Sequence, residues 1–298
     1  MPDALAPGLY LVATPIGNLG DITLRALEVL KAADRIACED TRQTQKLLNH
    51  YGIATPTISY HEHNERDRAA KLIEELKAGA RIAVVSDAGT PSISDPGSVL
   101  VREAIVAGIP VIPIPGASAA LSALIASGLP SDEFHFIGFL PEKAGARRTR
   151  LEALASQQRH SAETVILYEA PHRIADTLAD IEAIFGRALR IVAARELTKL
   201  HEEFLRGSVT EVRAELTARD RIRGEFVLLL ELPACSGNSG APCLPPLETW
   251  DSIASLVQRL QSEHNLDEKE ALKCLARESG KSKSELYREL QRERAKRR

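Results

Sequence analysis

Short, almost continuous apolar runs alternate with amphipathic stretches along the first 130 residues, and this alternation strongly limits the possible folds. The apolar runs lie at 8–14, 35–40, 80–87 and 109–116, and each is followed by a stretch with helical periodicity. Strands that are apolar along their whole length are buried on both faces, as happens when helices cover both sides of a parallel sheet. The pattern therefore predicts βαβ units and a mainly parallel sheet.

A second α/β pattern follows a stretch at 132–150 that we interpret as a boundary. Strands are expected at 164–171, 189–197 and 224–232, with amphipathic helices between them. The chain therefore contains enough elements for two α/β domains.

The rest of the chain differs in composition. Residues 234–246 are dense in Pro, Gly, Ser and Asn, which is typical of a flexible linker. Three short amphipathic helices are expected after it, at 248–262, 267–279 and 282–294. The expected parts are an N-terminal α/β domain over 1–130, a second α/β domain over 131–233, the linker over 234–246 and a basic helical module over 247–298.

The overall composition is that of an ordinary globular protein, with 44% hydrophobic and 27% charged residues. The four cysteines form no CxxC pair and have no histidine at zinc-ligand spacing, so we expect free thiols, a cytoplasmic location and no metal site. We expect no signal peptide, and no run approaches the about 18 apolar residues of a membrane helix. The net charge of −3 does not indicate a general nucleic-acid binder, but it is compatible with a local basic patch.

Three loops rich in small and hydroxyl-bearing residues follow predicted strands, at 14–21, 86–97 and 113–119. Ligands bind outside the carboxyl ends of the strands in an open parallel sheet, so these loops are expected to line one cleft. Asp87, Asp95 and the neighbouring hydroxyls offer hydrogen bonds. The chain has neither GxxxxGK[ST] nor GxGxxG, so these residues predict a small polar ligand that is not held by its phosphates.

Seven blocks occur in a characteristic order: LYLVATPIGNLGDIT, CEDTR, SDAGTPSISDPG, PIPGASA, GFLP, YEAPHR and RELTKLHEE. Together they resemble the tetrapyrrole-methylase-like (class III) superfamily of S-adenosylmethionine-dependent methyltransferases. Tetrapyrrole methylases carry GPGD-like and GDP-like sequences where this chain has TPIGNLGD and SDAGTP. The chain is therefore more similar to the branch that methylates ribosomal RNA of the small subunit.

The resemblance implies an α/β fold class: two α/β domains of the tetrapyrrole methylase type with the cofactor cleft between them, plus a small C-terminal helical module. It also implies a homodimer that uses S-adenosylmethionine as methyl donor and no metal. The implied reaction is methylation of the ribose 2′-hydroxyl of cytidine 1402 in the 16S rRNA of the 30S subunit.

Carried over block by block, the resemblance implies cofactor contacts in both domains. The first-domain positions are Thr14, Pro15, Asp87, Ala88, Gly89, Thr90, Ile93, Ser94 and Ser118. The second-domain positions are Tyr168, Ala170, Leu197, Gly224 and Glu225. In this interpretation the small residues of 86–97 let the backbone approach the methionine and ribose parts of the cofactor.

A ribose hydroxyl is a poor nucleophile, and a side chain that accepts its proton adds about 10²–10⁴-fold to the rate. The candidates for this role, or for positioning the hydroxyl, are Glu39, Asp40, Arg42, Glu169, His172 and Lys199, with His61, His63 and Glu202 as further candidates. Arg42 and Arg173 have the guanidinium group that binds phosphate bidentately. Each of these side chains is also compatible with a solvated or ion-paired structural role.

Binding of RNA requires positive charge at the contact surface. Residues 143–150 contain Lys143, Arg147, Arg148 and Arg150, and residues 281–298 carry eight Lys or Arg against three Glu, a local charge of 8 − 3 = +5. We interpret the C-terminal helices as an RNA-binding module, with a solvated basic tail as the alternative.

Three rival functions stay open from the sequence. A methylase of a corrin, porphyrin or diphthine precursor has the same fold but little use for a basic module. A non-catalytic ribosome-binding protein would not bind S-adenosylmethionine. A phosphate-handling α/β enzyme is disfavoured because the P-loop motif is absent from the chain.

Overall fold

The computed structural model describes residues 5–61, 64–157, 159, 161–234, 253, 256–257, 261, 268–279 and 283–296. Contacts divide the chain into two compact units, residues 1–234 and 235–298. The expected linker at 234–246 lies outside the described residues apart from Ala234.

The helices of the described ranges include none that is long and apolar enough to span a membrane.

The first sheet has five strands, and every neighbouring pair in it is parallel. Its strands are β1 (Gly8–Val12), β2 (Arg35–Cys38), β3 (Thr57–Ser59), β4 (Arg81–Val85) and β5 (Val111–Ile114), arranged in the order β3-β2-β4-β1-β5. The predicted parallel sheet is therefore confirmed. The edge strand β3 was not predicted from the sequence, because its three half-buried residues have too little apolar pattern to be recognised.

Of the first five helices, four cover the two faces of this sheet, and the fifth packs against the second sheet. The five are α1 (Leu24–Ala32), α2 (Thr41–His50), α3 (Glu65–Lys77), α4 (Ser98–Val106) and α5 (Ala119–Ser127). Val12, Ile36 and Leu48 belong to the core on one face. Leu9 and Ile82 pack with Leu100 in the core on the other face. Burial on both faces explains why the strand sequences are apolar without alternation.

The second sheet is mixed. Its strands are β6 (Phe134–Phe139), β7 (Glu163–Glu169), β8 (Arg190–Arg195), β9 (Glu203–Ser208) and β10 (Phe226–Leu232), in the order β6-β7-β10-β8-β9, with helices α6 (Ala144–Ala155), α7 (Ile174–Phe185) and α8 (Val209–Thr217). The pair β6–β7 is parallel, and the other neighbouring pairs are antiparallel. The stretch 132–150, interpreted as a boundary, contains β6 and the first half of α6.

Arg147 on α6 forms a buried ion pair with Asp180 on α7, at 2.7 Å between Nε and Oδ2. Arg148 donates to the other oxygen of Asp180, also at 2.7 Å. The side chain of Arg147 is only 6% exposed, so it is not the surface cation that the sequence pattern indicated. The helix packing turns one of the four cations of the basic cluster inward, and Lys143, Arg148 and Arg150 stay exposed.

The second unit contains α9 (Glu268–Ser279) and α10 (Lys283–Lys296), which agree with two of the three expected helices. Leu272 and Leu275 pack with Leu286 and Leu290 in a separate small core. The first expected helix, at 248–262, lies mostly outside the described residues; positions 253, 256–257 and 261 are helical.

Candidate functional site

The three loops that follow β1, β4 and β5 meet at one edge of the first sheet, because β1 lies between β4 and β5 and all three run in the same direction. Backbone hydrogen bonds join the first two loops: Thr14 N donates to Gly89 O at 2.8 Å, and Gly89 N donates to Thr14 O at 3.0 Å. The hydroxyl of Thr90 donates to Ala117 O at 3.2 Å and so joins the second loop to the third.

The β4 loop has an unusual backbone. Gly89 has φ +82°, and Ser92 and Ser94 have φ of 68° and 61°. A Cβ at Gly89 would lie 3.3 Å from Cγ2 of Ile16. Non-glycine residues in this region are uncommon and concentrate at functional loops, so the loop shape is held by its surroundings.

The second sheet contributes the opposite wall of a cleft of about 410 Å³. Because β10 is antiparallel to β7 and β8, its first residues lie beside the last residues of those strands, with Phe226 paired to both Glu169 and Arg195. The cleft is lined by Ile16, Asp87, Ala88, Gly89, Thr90, Ile93, Ser94, Asp95, Ser118, Ala119, Phe139, Tyr168, Glu169, Ala170, Pro171, Leu197, Glu225, Phe226 and Val227. Its volume lies within the about 300–1,000 Å³ that is usual for cofactor sites.

The cleft is acidic. Four carboxylates line it, from Asp87, Asp95, Glu169 and Glu225, and no Lys, Arg or His is among the described residues that do so. Burial, together with the negative charges of Glu39 and Asp87, raises the pKa of Asp95 to about 6. Such a cleft favours a ligand with positive charge and disfavours phosphate groups.

The structure brings eleven of the fourteen expected cofactor positions to this cleft. Among the described residues, Thr14, Pro15 and Gly224 are the expected positions that do not line it. Thr14 instead anchors Gly89 through the two backbone hydrogen bonds. Gly224 has φ +92°, and a Cβ there would lie 2.5 Å from Cγ of Glu196, so this glycine permits close packing behind the wall.

Several lining residues were not among the expected ligand contacts: Ile16, Ala119, Phe139, Pro171, Phe226 and Val227. Asp95 was expected to offer a hydrogen bond in the cleft, although it is not one of the fourteen positions carried over from the resemblance. Phe139 and Pro171 stand inside the quoted blocks GFLP and YEAPHR, so the resemblance contained a signal for them. Phe226 and Val227 had no such signal, since they reach the cleft through the antiparallel direction of β10.

The candidates Asp40 and Arg42 bind each other at the start of α2. Asp40 accepts from Arg42 Nε at 3.1 Å and from Arg42 Nη2 at 2.9 Å, and it also caps the helix by accepting from the backbone N of Arg42. The hydrogen bonds from Arg42 lower the pKa of Asp40 to about 2. A carboxylate with so low a pKa is a weak proton acceptor at neutral pH.

Glu169 and Lys199 are also held by neighbouring side chains. Glu169 is buried, accepts from Thr177 Oγ1 at 2.6 Å and forms an ion pair with Arg173 at 3.2 Å. Lys199 Nζ donates to Glu196 and to Glu225, both at 2.9 Å. Burial opposes the charge of Lys199, but the two carboxylates outweigh it and raise the pKa of the ammonium group. Both sets of contacts indicate that Glu169 and Lys199 hold the cleft walls in place.

None of the remaining candidates within the described ranges lines the cleft, and His63 lies outside those ranges. His172 is exposed on the turn that follows the lining residues Ala170 and Pro171. Glu39 is half-buried after β2, and its charge acts on Asp95. Among the further candidates, Glu202 accepts from the backbone N of Thr198, His61 lies next to Tyr60 at the end of the β3 segment, and His63 is outside the described residues.

Comparison with known proteins gives a family match and named relatives. The chain matches a family model described as Tetrapyrrole (Corrin/Porphyrin) Methylases over residues 8–213. It is 51% identical over 282 residues to the Halalkalibacterium halodurans protein named ribosomal RNA small subunit methyltransferase I, covering 94% of this chain and 93% of that one. A Bacillus subtilis protein of the same name is 45% identical over 283 residues, with coverage of 94% and 92%.

Solved structures show the same architecture. Diphthine synthase matches with a TM-score of 0.55 at 17% identity, covering 75% of this chain and 89% of that one. Uroporphyrin-III C-methyltransferase from Thermus thermophilus, complexed with S-adenyl homocysteine, matches with a TM-score of 0.51 at 19% identity, covering 74% and 96%. These likenesses concern the fold, and they confirm the expected tetrapyrrole methylase type.

The family model covers more than half of the chain, and the two named relatives cover more than nine-tenths of it. The chain therefore belongs to the tetrapyrrole methylase family, in its ribosomal RNA small subunit methyltransferase I branch.

Proposed function

We propose that this protein transfers the methyl group of S-adenosylmethionine to the ribose 2′-hydroxyl of cytidine 1402 in 16S rRNA of the small ribosomal subunit, in the cytoplasm. The observation that carries the proposal is the 51% identity, over 94% of the chain, to a protein named ribosomal RNA small subunit methyltransferase I. The shape and charge of the cleft support the choice of methyl donor.

The cleft residues fit S-adenosylmethionine on chemical grounds. Its sulfonium and ammonium groups are cations, and four carboxylates line the cleft. Glu169 and Glu225 are paired with Arg173 and Lys199, so the negative charge that faces a ligand comes mainly from Asp87 and Asp95. Apolar side chains such as Ile16, Leu197 and Phe226 offer surfaces for the adenine ring, and Thr90 and Ser118 offer hydroxyls for the ribose. Gly89 leaves space that a Cβ would take from Ile16. The fourteen expected positions, with Asp95 added, are our proposed cofactor contacts.

When bound, S-adenosylmethionine supplies an electrophilic methyl group. The side chains of the cleft hold the donor and restrict the approach of the ribose oxygen, and such positioning alone supplies effective molarities of about 10⁵–10⁸ M. Of the six expected catalytic residues, His172 best fits proton removal, because it is exposed, directly follows the lining residue Pro171, and imidazole is the most frequent general base. Lys199 binds Glu225, Thr177 binds Glu169, and the backbone N of Asp40 binds Asp87, so each holds a carboxylate of the cleft walls. The charge of Glu39 acts on Asp95.

Homodimer formation is part of the proposal. Leu121 and Ile125 on α5 are 50% and 82% exposed, and Ile105 and Val106 on α4 are 62% and 84% exposed. Large apolar side chains that stay exposed on these two helices support burial against a second copy.

The test is methyl transfer from S-adenosylmethionine that carries a labelled methyl group. The substrates are 30S subunits from cells that lack the modification, naked 16S rRNA and a porphyrin precursor. We expect label on a ribose 2′-oxygen of 30S RNA, at cytidine 1402. Label on the porphyrin, or none on RNA despite tight cofactor binding, contradicts the proposal and favours a small-molecule methylase.

A histidine pair tests the assigned proton acceptor in the same assay. His172→Gln is expected to lower kcat by at least about 100-fold and to leave the Kd for S-adenosylmethionine unchanged. His50→Gln is the matched control, because His50 is exposed at the far end of α2. Equal kcat values for the two variants would remove His172 from the mechanism.

A further inference from the structure

A second groove lies along α2, outside the cofactor cleft. It has a volume of about 450 Å³ and is lined by Thr41, Arg42, Gln45, Lys46, Asn49 and Thr57. The four long side chains follow the spacing i, i+3, i+4 and i+7, so they share one face of the helix. All four are exposed, whereas Thr44 and Leu48 are buried on the core side of the helix.

The groove offers many hydrogen-bond donors and carries positive charge. Its described lining has two cations, two amides and two hydroxyls, and no carboxylate. Arg42 uses two of its five N–H donors on Asp40, which leaves three for a ligand. Lys46 Nζ donates to Gln43 Oε1 at 2.9 Å, and an ammonium group has two further donors. Arg, Lys, Asn, Gln and Thr are the side chains that bind phosphate and sugar oxygens in nucleic-acid complexes.

The groove is connected to the cofactor cleft. The backbone N of Asp40, the cap of α2, donates to Oδ1 of Asp87 at 3.1 Å, and Asp87 lines the cleft. The groove therefore starts beside the cleft and leads away from it. Arg42 and Asn49 are two helical turns apart, about 10 Å at 1.5 Å per residue, so an extended chain has room for contacts along it.

We propose that the α2 groove binds the sugar–phosphate backbone of the substrate RNA next to the nucleotide that enters the cleft. The inference rests on the proposed function, since it names the part of the RNA that this surface holds. Lys46 has an amide oxygen and no carboxylate as its partner, and Arg42 keeps three N–H donors beyond its pair with Asp40, so both fit a polyanion. The amides fit phosphate and ribose oxygens. Such contacts position an RNA without reading its bases.

Lys46 is the residue to change, because its substitution leaves the Asp40–Arg42 pair intact. Full-length Lys46→Gln and Lys46→Glu are compared with Lys77→Gln and Lys77→Glu, which alter an exposed lysine of α3 that is paired with Glu74. The Kd for unmodified 30S subunits and for naked 16S rRNA is measured over a range of salt concentrations. Circular dichroism and the Kd for S-adenosylmethionine report on folding and on the cleft.

The slope of log K against log salt is negative, and loss of one phosphate contact decreases its magnitude by about 0.7–1. We expect this decrease in Lys46→Gln, and in Lys46→Glu a Kd for RNA at least tenfold higher with unchanged affinity for S-adenosylmethionine. Gln45→Ala and Asn49→Ala are expected to raise the Kd without changing the slope, since they remove neutral donors. The Lys77 variants are expected to change the Kd less than twofold.

The outcomes separate this inference from the proposed function. If the wild type methylates 30S RNA but the Lys46 variants keep its affinity and salt slope, the groove does not bind RNA. If Lys46→Glu loses 30S binding and keeps naked 16S rRNA binding, the groove contacts a ribosomal protein, which also overturns the inference. Failure of the wild type to methylate RNA contradicts the proposed function itself.

Discussion

Protonation of Asp95 makes the negative charge of the cleft depend on pH. Burial, Glu39 and Asp87 raise the pKa of its carboxyl from 3.8 to about 6. Because the folded-state value is the higher one, this group stabilises the unliganded fold most below about pH 4, and the contribution is lost as pH rises through about 6. A bound cation has the opposite effect, since it favours the ionised carboxylate.

The affinity for S-adenosylmethionine is therefore expected to fall in acid. If binding requires the ionised carboxylate, only about one-tenth of the protein is competent one pH unit below the pKa. We expect the Kd, measured by isothermal titration calorimetry, to be about tenfold higher at pH 5 than at pH 7.5.

Asp95→Asn is the control for this pH dependence. It removes the titrating group from a half-buried position and keeps a similar side-chain volume. The variant is expected to bind weakly at both pH values, with a flat profile. A wild-type profile in this variant would assign the pH dependence to another carboxyl of the cleft.

The β4 loop, residues 86–97, shows how one element shapes the site. Ser86 Oγ donates to Ala88 O at 3.2 Å and to Gly89 O at 3.3 Å, so the loop turns back on the end of its own strand. Gly89, at φ +82°, then brings the backbone to Thr14. The loop is long for a strand–helix connection because it forms one wall of the cleft.

Alanine substitutions at two glycines distinguish the cost of backbone strain from a loss of cofactor binding. Gly89 and Gly79 both have positive φ, of 82° and 94°, but a Cβ at Gly79 meets no atom within 4 Å. We expect Gly89→Ala and Gly79→Ala each to lower the free energy of unfolding by about 1–2 kcal/mol, measured by urea denaturation.

The two variants are expected to differ in cofactor affinity. The new Cβ at position 89 lies 3.3 Å from Ile16 Cγ2, so it displaces a lining residue of the cleft. We expect a Kd for S-adenosylmethionine at least tenfold higher in Gly89→Ala and unchanged in Gly79→Ala. Equal affinities in the two variants would show that the cleft tolerates the shift of Ile16.

The second unit, residues 235–298, has a basic C-terminal end, whereas the cofactor cleft of the first unit is acidic. Carboxylates line the cleft, whereas the last 18 residues, 281–298, carry the net charge of +5 given by 8 − 3. On α10, Leu286 and Leu290 are buried in the small core, and Arg288 and Arg292 are exposed. This arrangement supports an RNA-binding role of the second unit, since cations that are free of the core can reach phosphates.

Arg288→Gln/Arg292→Gln tests this role. For 30S binding we expect the slope of log K against log salt to decrease in magnitude by about 1.4–2. We also expect an increased KM for 30S subunits and an unchanged Kd for S-adenosylmethionine. Lys77→Gln/Arg187→Gln is the control, as it removes the same charge from the first unit. If both double variants lower the slope equally, the effect comes from net charge and not from α10.

Much of the first sheet and its loops was accessible from the sequence. Continuous apolar runs predicted parallel strands, and the shared direction of those strands placed Asp87, Gly89 and Ser118 at one edge. The second sheet was less accessible. Its strand β9 alternates only weakly in burial, and the antiparallel direction of β10 leaves no trace in local composition.

Local pattern accounts for the alternation of strands and helices, the helix caps and the glycines of the loops, because periodicity, capping and φ preference act over a few residues. The burial of charged side chains and the shifts of their pKa values depend instead on residues that are distant in the chain. Arg147 is a buried ion-pair partner because α7 brings Asp180 to it, and the pKa of Asp95 is raised by burial and by the charges of Glu39 and Asp87. Such properties follow from which side chains the fold brings together and how far it removes them from water, and neither is contained in a local stretch of sequence.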